Sequence, residues 1–110
     1  MAIDSPRQFI EDVLPEKLSD PEKLKDLDLA VQFNIKGDDG GEWVLEIKDQ
    51  QASVREGTED NPTITIRMKD KDFLKLVNGE LSGQKAFMSG KLKFKGDMNA
   101  GIKLQKLGII

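Results

Sequence analysis

The segment that decides the fold is residues 63–96, TITIRMKDKDFLKLVNGELSGQKAFMSGKLKFKG. Polar and apolar residues alternate over 63–69, and this period of two predicts a half-buried strand. Helical spacing follows and predicts two short helices, the first ending near Gly79 and the second before Gly90. Alternation returns over 91–95 and predicts another strand. A strand, two helices and a strand in succession place the chain in the mixed α+β class.

Three more strands are predicted upstream of this segment. Apolar and polar residues alternate over 29–36, over 43–48 and, more briefly, around Ala52 and Val54. The connections between these strands are short and carry turn residues, so we expect an antiparallel meander. With the strands at 63–69 and 91–95, the predicted total is five.

Two helices are predicted ahead of the first strand. Ser5 is a candidate N-cap for a helix over 5–14, which Pro15 is expected to end. Asp20 followed by proline repeats the start signal and predicts a short helix over 21–26.

A last helix is predicted over 97–107, with apolar residues on two opposite sides and a narrow polar strip between them. One side carries Ala100, Leu104 and Leu107, and the other carries Met98, Gly101, Ile102 and Gln105. An ordinary surface helix has a single apolar stripe. This helix is therefore expected to lie between the sheet and something else, which the pattern leaves open as another helix, a ligand cavity, a partner or simple burial in a small core.

The length of 110 residues favours a single domain over residues 1–110. The chain contains no His and no Cys, which excludes a Ser-His-Asp triad, a thiolate nucleophile and a Cys/His zinc site. Neighbouring carboxylates such as Asp70 and Asp72 are better explained as helix-terminal or loop residues. No enzymatic activity, cofactor or metal is expected.

Targeting signals are not recognisable in the sequence. The N-terminus lacks a basic region followed by an apolar run, and no apolar stretch approaches the roughly 20 residues that cross a bilayer. The C-terminal residues Gly108-Ile109-Ile110 are not a Ser-Lys-Leu peroxisomal address. The expected location is therefore intracellular, in the cytoplasm.

Charge is distributed unevenly along the chain. Residues 1–62 hold 7 Lys and Arg against 16 Asp and Glu, whereas residues 63–110 hold 10 against 4. The basic half includes Lys91, Lys93 and Lys95 at alternate positions. These lysines fit a solvated strand face, contact with anionic lipid headgroups, or contact with the phosphates of an acyl thioester. Nucleic-acid binding is not expected, because basic and aromatic residues are not interleaved on one face.

Several motifs resemble the sterol carrier protein 2 (SCP2) family of lipid-binding domains. The most specific is Gln84-Lys85-Ala86-Phe87-Met88-Ser89-Gly90-Lys91-Leu92-Lys93. It is preceded by Thr63-Ile64-Thr65-Ile66 and Asp72-Phe73-Leu74, and followed by Gly96-Asp97-Met98 and Lys103-Leu104-Gln105. The weaker first half also fits, with Trp43 in the strand after a Gly-rich turn.

This resemblance implies a five-stranded, mostly antiparallel sheet covered on one face by about five helices, with an apolar tunnel between them. It implies non-enzymatic binding of a fatty acid, fatty acyl-CoA, sterol or phospholipid and its transfer between membranes. The basic second half of the chain is expected to assist transient contact with anionic membrane surfaces. The implied apolar tunnel residues are Phe33, Trp43, Phe73, Leu76, Phe87, Met88, Phe94, Met98, Ile102, Leu104 and Leu107. Gln84 and Gln105 match polar positions that hydrogen-bond a ligand headgroup.

Animal members of the family end in a longer tail with a peroxisomal address, whereas this sequence stops at Ile110. Ile109 and Ile110 are therefore candidates to cover the tunnel mouth. The alternative function is a structural or protein-interaction module with a closed core and no ligand. The two readings differ in whether Phe73, Phe87, Met98 and Ile102 leave a cavity or fill it.

Overall fold

The computed structural model describes residues 3–109. Its centre is a five-stranded sheet with the spatial order β3-β2-β1-β4-β5. The strands are β1 Leu29–Lys36, β2 Gly41–Lys48, β3 Gln51–Glu56, β4 Ile64–Lys69 and β5 Lys93–Gly96. The predicted α+β class and the five strands are confirmed.

Strand β1 lies in the middle of the sheet and joins its two halves. It pairs antiparallel with β2, where Phe33 lies opposite Trp43, and parallel with β4, where Phe33 lies opposite Ile66. Strand β3 pairs antiparallel with β2, and β5 with β4. The sheet is therefore mostly antiparallel, as expected, and β1–β3 form the predicted meander.

The helices are short. The described chain contains α1 Pro6–Gln8, a π-helical turn Phe9–Val13, α2 Leu14–Lys17, a 3₁₀ turn Pro21–Leu24, α3 Asp70–Val77, α4 Gly83–Met88 and α5 Met98–Lys106. The segments from Pro6 to Lys17 follow one another without a break and form one N-terminal helix.

In the N-terminal part, one sequence prediction was wrong and another was confirmed in part. Pro15 does not end the helix, because the chain widens into the π-helical turn just before it, with Leu14 N–H donating to the Phe9 carbonyl. Such a turn accommodates a proline that would clash in a regular α-helix. The helix predicted over 21–26 begins at Pro21 with Asp20 as its cap, as expected, but it is a 3₁₀ helix that ends at Leu24. Asp26 has a positive φ of 66°, which interrupts helical geometry.

The fifth strand begins later than predicted. Lys91 lies in the turn before β5, where its backbone N–H donates to the Ala86 carbonyl at 2.9 Å. Only Lys93 and Lys95 of the predicted alternating lysines therefore belong to a strand, although all three side chains are exposed. Alternation alone assigns Lys91 to the strand. In the structure it belongs to the Schellman-type turn that ends α4, in which Gly90 has a φ of 80°.

A single apolar core lies on one face of the sheet. It joins the alternate residues of β1, β2 and β4 to the N-terminal helix, α3, α4 and α5. Val44, which points to the other face, is not part of this cluster. The first helix is clamped to the sheet by Trp43, whose indole Nε1–H donates to Glu11 Oε2 at 2.9 Å while the Arg7 guanidinium lies 5.3 Å above the ring.

A second clamp holds the β1–β2 turn. The Asp70 carboxylate, at the start of α3, accepts the backbone N–H of Asp39 at 3.0 Å and that of Lys71 at 2.8 Å. Gly37, at φ 116°, lies so close to this carboxylate that a Cβ atom there would collide with it. The turn therefore requires glycine for both reasons.

Candidate functional site

An apolar groove lies between α4, β5 and α5, at one end of the helical layer. Its volume is about 380 Å³. It is lined by Gly83, Gln84, Phe87, Leu92, Phe94, Met98, Gly101, Ile102 and Gln105. A cavity of this size, mostly apolar with a few polar groups, is typical of a small-molecule site.

Local sequence signals set the two helices that form the walls. Ser82 caps α4, with Oγ accepting the Lys85 backbone N–H at 3.1 Å, and Asp97 caps α5 by accepting the Asn99 N–H at 2.9 Å. Gly96, at φ 119°, turns the chain from β5 into α5 while its neighbour Asp97 donates its N–H to the Thr63 carbonyl at 2.9 Å. The turn thereby anchors the start of α5 beside β4.

The groove is open to solvent because large apolar side chains stand at its rim without closing it. Phe87, Met98 and Ile102 are 49%, 48% and 53% exposed. The rings of Phe87 and Phe94 lie 5.6 Å apart at 36° and form one wall. On the side of α5 that faces the sheet, Gly101 is buried close to Ile64, so the helix approaches β4 closely.

The polar groups of the groove are neutral. Gln84 and Gln105 supply carboxamides, which both donate and accept hydrogen bonds. No ionisable side chain is among the residues that line it. The arrangement therefore suits binding of an apolar ligand with a hydrogen-bonding end, and it offers no general acid, base or nucleophile.

The two groups with displaced pKa values lie elsewhere. A hydrogen bond to Glu56, together with the charge of Glu11, raises the pKa of the Arg7 guanidinium. The backbone N–H of Asp39 lowers the pKa of Asp70. Both shifts belong to the structural clamps described above and not to the groove.

The structure divides the residues that the resemblance assigned to a tunnel into three sets. Six line the groove together: Gln84, Phe87, Phe94, Met98, Ile102 and Gln105. Five are buried in the core below 10% exposure: Phe33, Trp43, Phe73, Leu76 and Leu104. The remaining two are Met88, which is 77% exposed outside the groove, and Leu107, which is partly buried against the core.

Contacts in the structure explain why Trp43 and Phe73 are buried in the core. Trp43 is covered by the N-terminal helix through its contacts with Glu11 and Arg7. Phe73 makes edge-on contacts with the rings of Phe9 and Phe33, at centroid distances of 5.7 and 6.3 Å. Both side chains thus fill the core, and a continuous tunnel that would reach them stays a prediction.

Three residues that line the groove, Gly83, Leu92 and Gly101, are not among those predicted to bind a ligand. Gly101 did appear on the second side of the last helix, and Leu92 alternates with two lysines, so weak signals existed for both. Ile109 is 3% exposed and its N–H donates to the Leu104 carbonyl, which places it in the core beyond α5. Ile110, the other residue expected at a tunnel mouth, lies outside the described residues.

Within residues 3–109, no group of three potential metal-ligating side chains comes together. None of the helices described is long and apolar enough to cross a membrane.

Comparison with known sequences gives a consistent match. A sequence model of the SCP-2 sterol transfer family matches residues 8–108. Bovine hydroxysteroid dehydrogenase-like protein 2 is 38% identical over 96 residues, which are 86% of this chain and 23% of the bovine protein. The chain thus spans about a quarter of the length of that relative.

Solved structures show the same architecture. The sterol carrier protein domain 2 of Helicoverpa armigera superimposes with a TM-score of 0.78 at 26% identity, covering 97% of this chain and 91% of that one. The palmitated SCP2L2 of Aedes aegypti superimposes with a TM-score of 0.77 at 24% identity, covering 94% of each chain.

Proposed function

Because the chain belongs to the SCP-2 sterol transfer family, whose model spans residues 8–108, we propose that the α4–β5–α5 groove binds one lipid molecule. The protein then carries that lipid between membranes. The ligand classes that fit are a fatty acid, a fatty acyl-CoA, a sterol or a phospholipid, each with an apolar body and a polar end. The observation that carries this proposal is the open apolar groove itself.

The groove favours a ligand over the alternative of a closed interaction module. In a closed core, Phe87, Met98 and Ile102 would fill the space between α4 and α5. They instead leave about 380 Å³ and remain about half exposed. Exposed apolar groups around a concave site are typical of a binding surface.

The expected binding energy is adequate for a carrier. Burying about 300 Å² of alkyl surface at about 25 cal/mol per Å² contributes roughly 7 kcal/mol. Ordering of the ligand offsets part of this gain. An affinity of about tens of micromolar is the resulting expectation, which allows both capture and release.

Polar recognition is assigned to Gln84 and Gln105. Their carboxamides hydrogen-bond equally well to a carboxylate, an ester or a hydroxyl group. A charged headgroup would lie at the solvent-exposed mouth of the groove, where both glutamines are exposed, because none of the lining residues carries a charge. The same neutrality supports a non-catalytic role, since no nucleophile and base are available together.

The test uses Trp43, which is the single tryptophan and is held rigidly in the core. Energy transfer from Trp43 to a fluorescent fatty acid is titrated and then reversed with palmitate, oleoyl-CoA or cholesterol. Palmitate is a suitable first competitor, because a protein of the same fold was solved palmitated. Saturable transfer that one competitor reverses supports the proposal and identifies the ligand class.

A pair of variants locates the site. Ile102→Asp places a carboxylate in the groove and is expected to weaken binding by about tenfold or more. Met88→Asp makes the same change on a neighbouring exposed side chain that does not line the groove, and affinity is expected to stay within about twofold. Equal affinities of the two variants would refute the groove as the lipid site. No saturable transfer to the folded wild type would assign the protein to the closed-module alternative.

A further inference from the structure

The segment of the chain that forms the groove is rich in basic side chains. Residues 81–110 contain six lysines and one acidic residue, Asp97. The six lysines are Lys85, Lys91, Lys93, Lys95, Lys103 and Lys106, and all are exposed. Among the described residues, the ion pairs involve Arg7 and Arg55 but none of these lysines. Their charge is therefore directed to solvent.

Lys103 and Lys106 lie on α5 beside the groove. The helix buries Ala100 and Leu104 against the core, while Met98 and Ile102 face the groove. The two lysines occupy the polar strip between these sides. Across from them the chain brings Lys23 and Lys25 to the same hollow, whose floor is formed by Leu27 and Leu107. Four lysines from two separate segments thus surround one small apolar surface.

Exposed apolar side chains are concentrated in the same region. The large hydrophobic residues that stand exposed in the described chain are Phe87, Met88, Met98 and Ile102, all on α4 and α5. We call this set, with Lys103, Lys106, Lys23 and Lys25, the α4–α5 face. Residues 1–62 supply Lys23 and Lys25 to this face but are acidic overall, with 16 acidic and 7 basic side chains.

We propose that the α4–α5 face docks on the surface of an anionic membrane with the mouth of the groove toward the lipid. This inference rests on the proposed function, because it names the partner with which the groove exchanges its ligand. Lysines beside a membrane gain free energy from anionic headgroups, and apolar side chains between them enter the interface. The acidic side chains of residues 1–62 are repelled, so orientations that turn the lysines of the face toward the membrane are favoured.

Charge complementarity distinguishes this occupant from a second copy of the chain. Two α4–α5 faces brought together would juxtapose eight unpaired lysines, counting four from each copy. Like charges in direct opposition are destabilising. A flat anionic surface satisfies all four lysines of one molecule at once.

The first experiment compares binding of the full chain to vesicles of phosphatidylcholine alone and to vesicles that also contain about 30 mol % phosphatidylserine. Each lysine close to an anionic membrane surface is expected to raise affinity by about fivefold. Lys103→Gln/Lys106→Gln is expected to weaken binding to the anionic vesicles by about 30-fold. The matched control is Lys36→Gln/Lys69→Gln, which removes two exposed lysines paired at the far end of β1 and β4. It is expected to change binding by less than about threefold, through net charge alone.

The second experiment reports orientation. The chain has no cysteine, so Met88→Cys or Ser53→Cys gives a single site for an environment-sensitive fluorophore. Ser53 is exposed on β3, at the edge of the sheet farthest from β5. The label at position 88 is expected to shift to shorter wavelength on anionic vesicles, and the label at position 53 is expected to stay unchanged.

Three results would overturn the proposal: equal binding to both kinds of vesicle, equal loss in the two lysine pairs, or a spectral shift at position 53 but not at 88. Binding of soluble inositol phosphates or acidic peptides in preference to vesicles would likewise replace the membrane with another occupant. Fatty-acid titration of the same variants without vesicles separates this proposal from the proposed function. If the protein binds anionic vesicles selectively but does not bind the fatty acid, only the groove proposal is refuted. If it binds the fatty acid but does not select anionic vesicles, only the docking face is refuted.

Discussion

Truncating one groove residue and one core residue separates binding from stability. Phe94 is half-buried in the groove wall, where its ring lies 5.6 Å from that of Phe87. Leu104 is 0% exposed on the opposite side of α5. The substitutions Phe94→Ala and Leu104→Ala are therefore expected to act on different properties, although both remove a large apolar side chain.

Leu104→Ala creates a cavity in a closed core and is expected to lower the free energy of unfolding by about 3 kcal/mol. For a domain of this length that corresponds to a fall in Tm of about 12 °C. Phe94→Ala removes a ring that is only partly buried, so its expected cost is about 1.5 kcal/mol.

Ligand affinity is expected to change in the opposite order. The Phe94 ring offers about 40–60 Å² of contact to an alkyl chain, so its loss weakens binding by about 1–1.5 kcal/mol, or roughly five- to thirteenfold. Leu104→Ala is expected to leave affinity within about twofold wherever the protein remains folded.

The assay combines urea denaturation followed by Trp43 fluorescence with fatty-acid titration at a temperature where both variants are folded. The reasoning is refuted if Leu104→Ala weakens binding more than Phe94→Ala does. It is also refuted if the two variants lose equal stability, because Phe94 would then be a core residue and the groove would not be the binding surface.

Two further predictions concern the clamps that fix the fold around the groove. The N–H groups of Asp39 and Lys71 lower the pKa of Asp70, so its carboxylate stabilises the fold above its ordinary pKa, and this stability is lost as pH falls through the lowered value. In urea melts, Asp70→Asn is expected to be less stable than wild type at pH 7 and to lose less stability on acidification. A loss of stability on acidification equal to that of wild type would contradict this. Glu11→Ala removes the acceptor of the Trp43 indole N–H. It is expected to lower Tm by about 4 °C, for a loss of about 1 kcal/mol, and to shift Trp43 emission to longer wavelength. Glu11→Gln, which retains an acceptor, is the control, and identical thermal melts of the two variants would contradict the role of this hydrogen bond.

Much of the sheet could be predicted from the sequence because period-two alternation survives in β1, β2 and β4. The core face of β4 is occupied by Ile64, Ile66 and Met68, as the pattern requires. Turn chemistry was harder to recognise. Pro15 and Lys91 were misassigned because a π-helical turn and a glycine-ended turn depend on backbone geometry that residue type alone does not specify.

The site could be predicted only in part, for a geometric reason. Trp43 and Phe94 both point to the inner face of the sheet, so alternation gives them the same orientation. What separates them is the helix above each one: the N-terminal helix covers Trp43, whereas α4 and α5 leave Phe94 partly open. Placement of helices over a sheet is a tertiary property, and no local pattern encodes it.

The parallel pairing of β1 with β4 has a consequence for how the chain folds. The β1–β2–β3 meander needs only short loops to close. The pairing of β1 with β4, in contrast, brings Val31 opposite Ile64, which is far along the chain. Non-local pairing of this kind raises contact order and slows the rate-limiting step. A chain that has been synthesised only as far as β3 therefore exposes the unpaired edge of β1, its most apolar strand. Pairing with β4 covers the backbone N–H and C=O groups of that edge and so protects it from association with other chains.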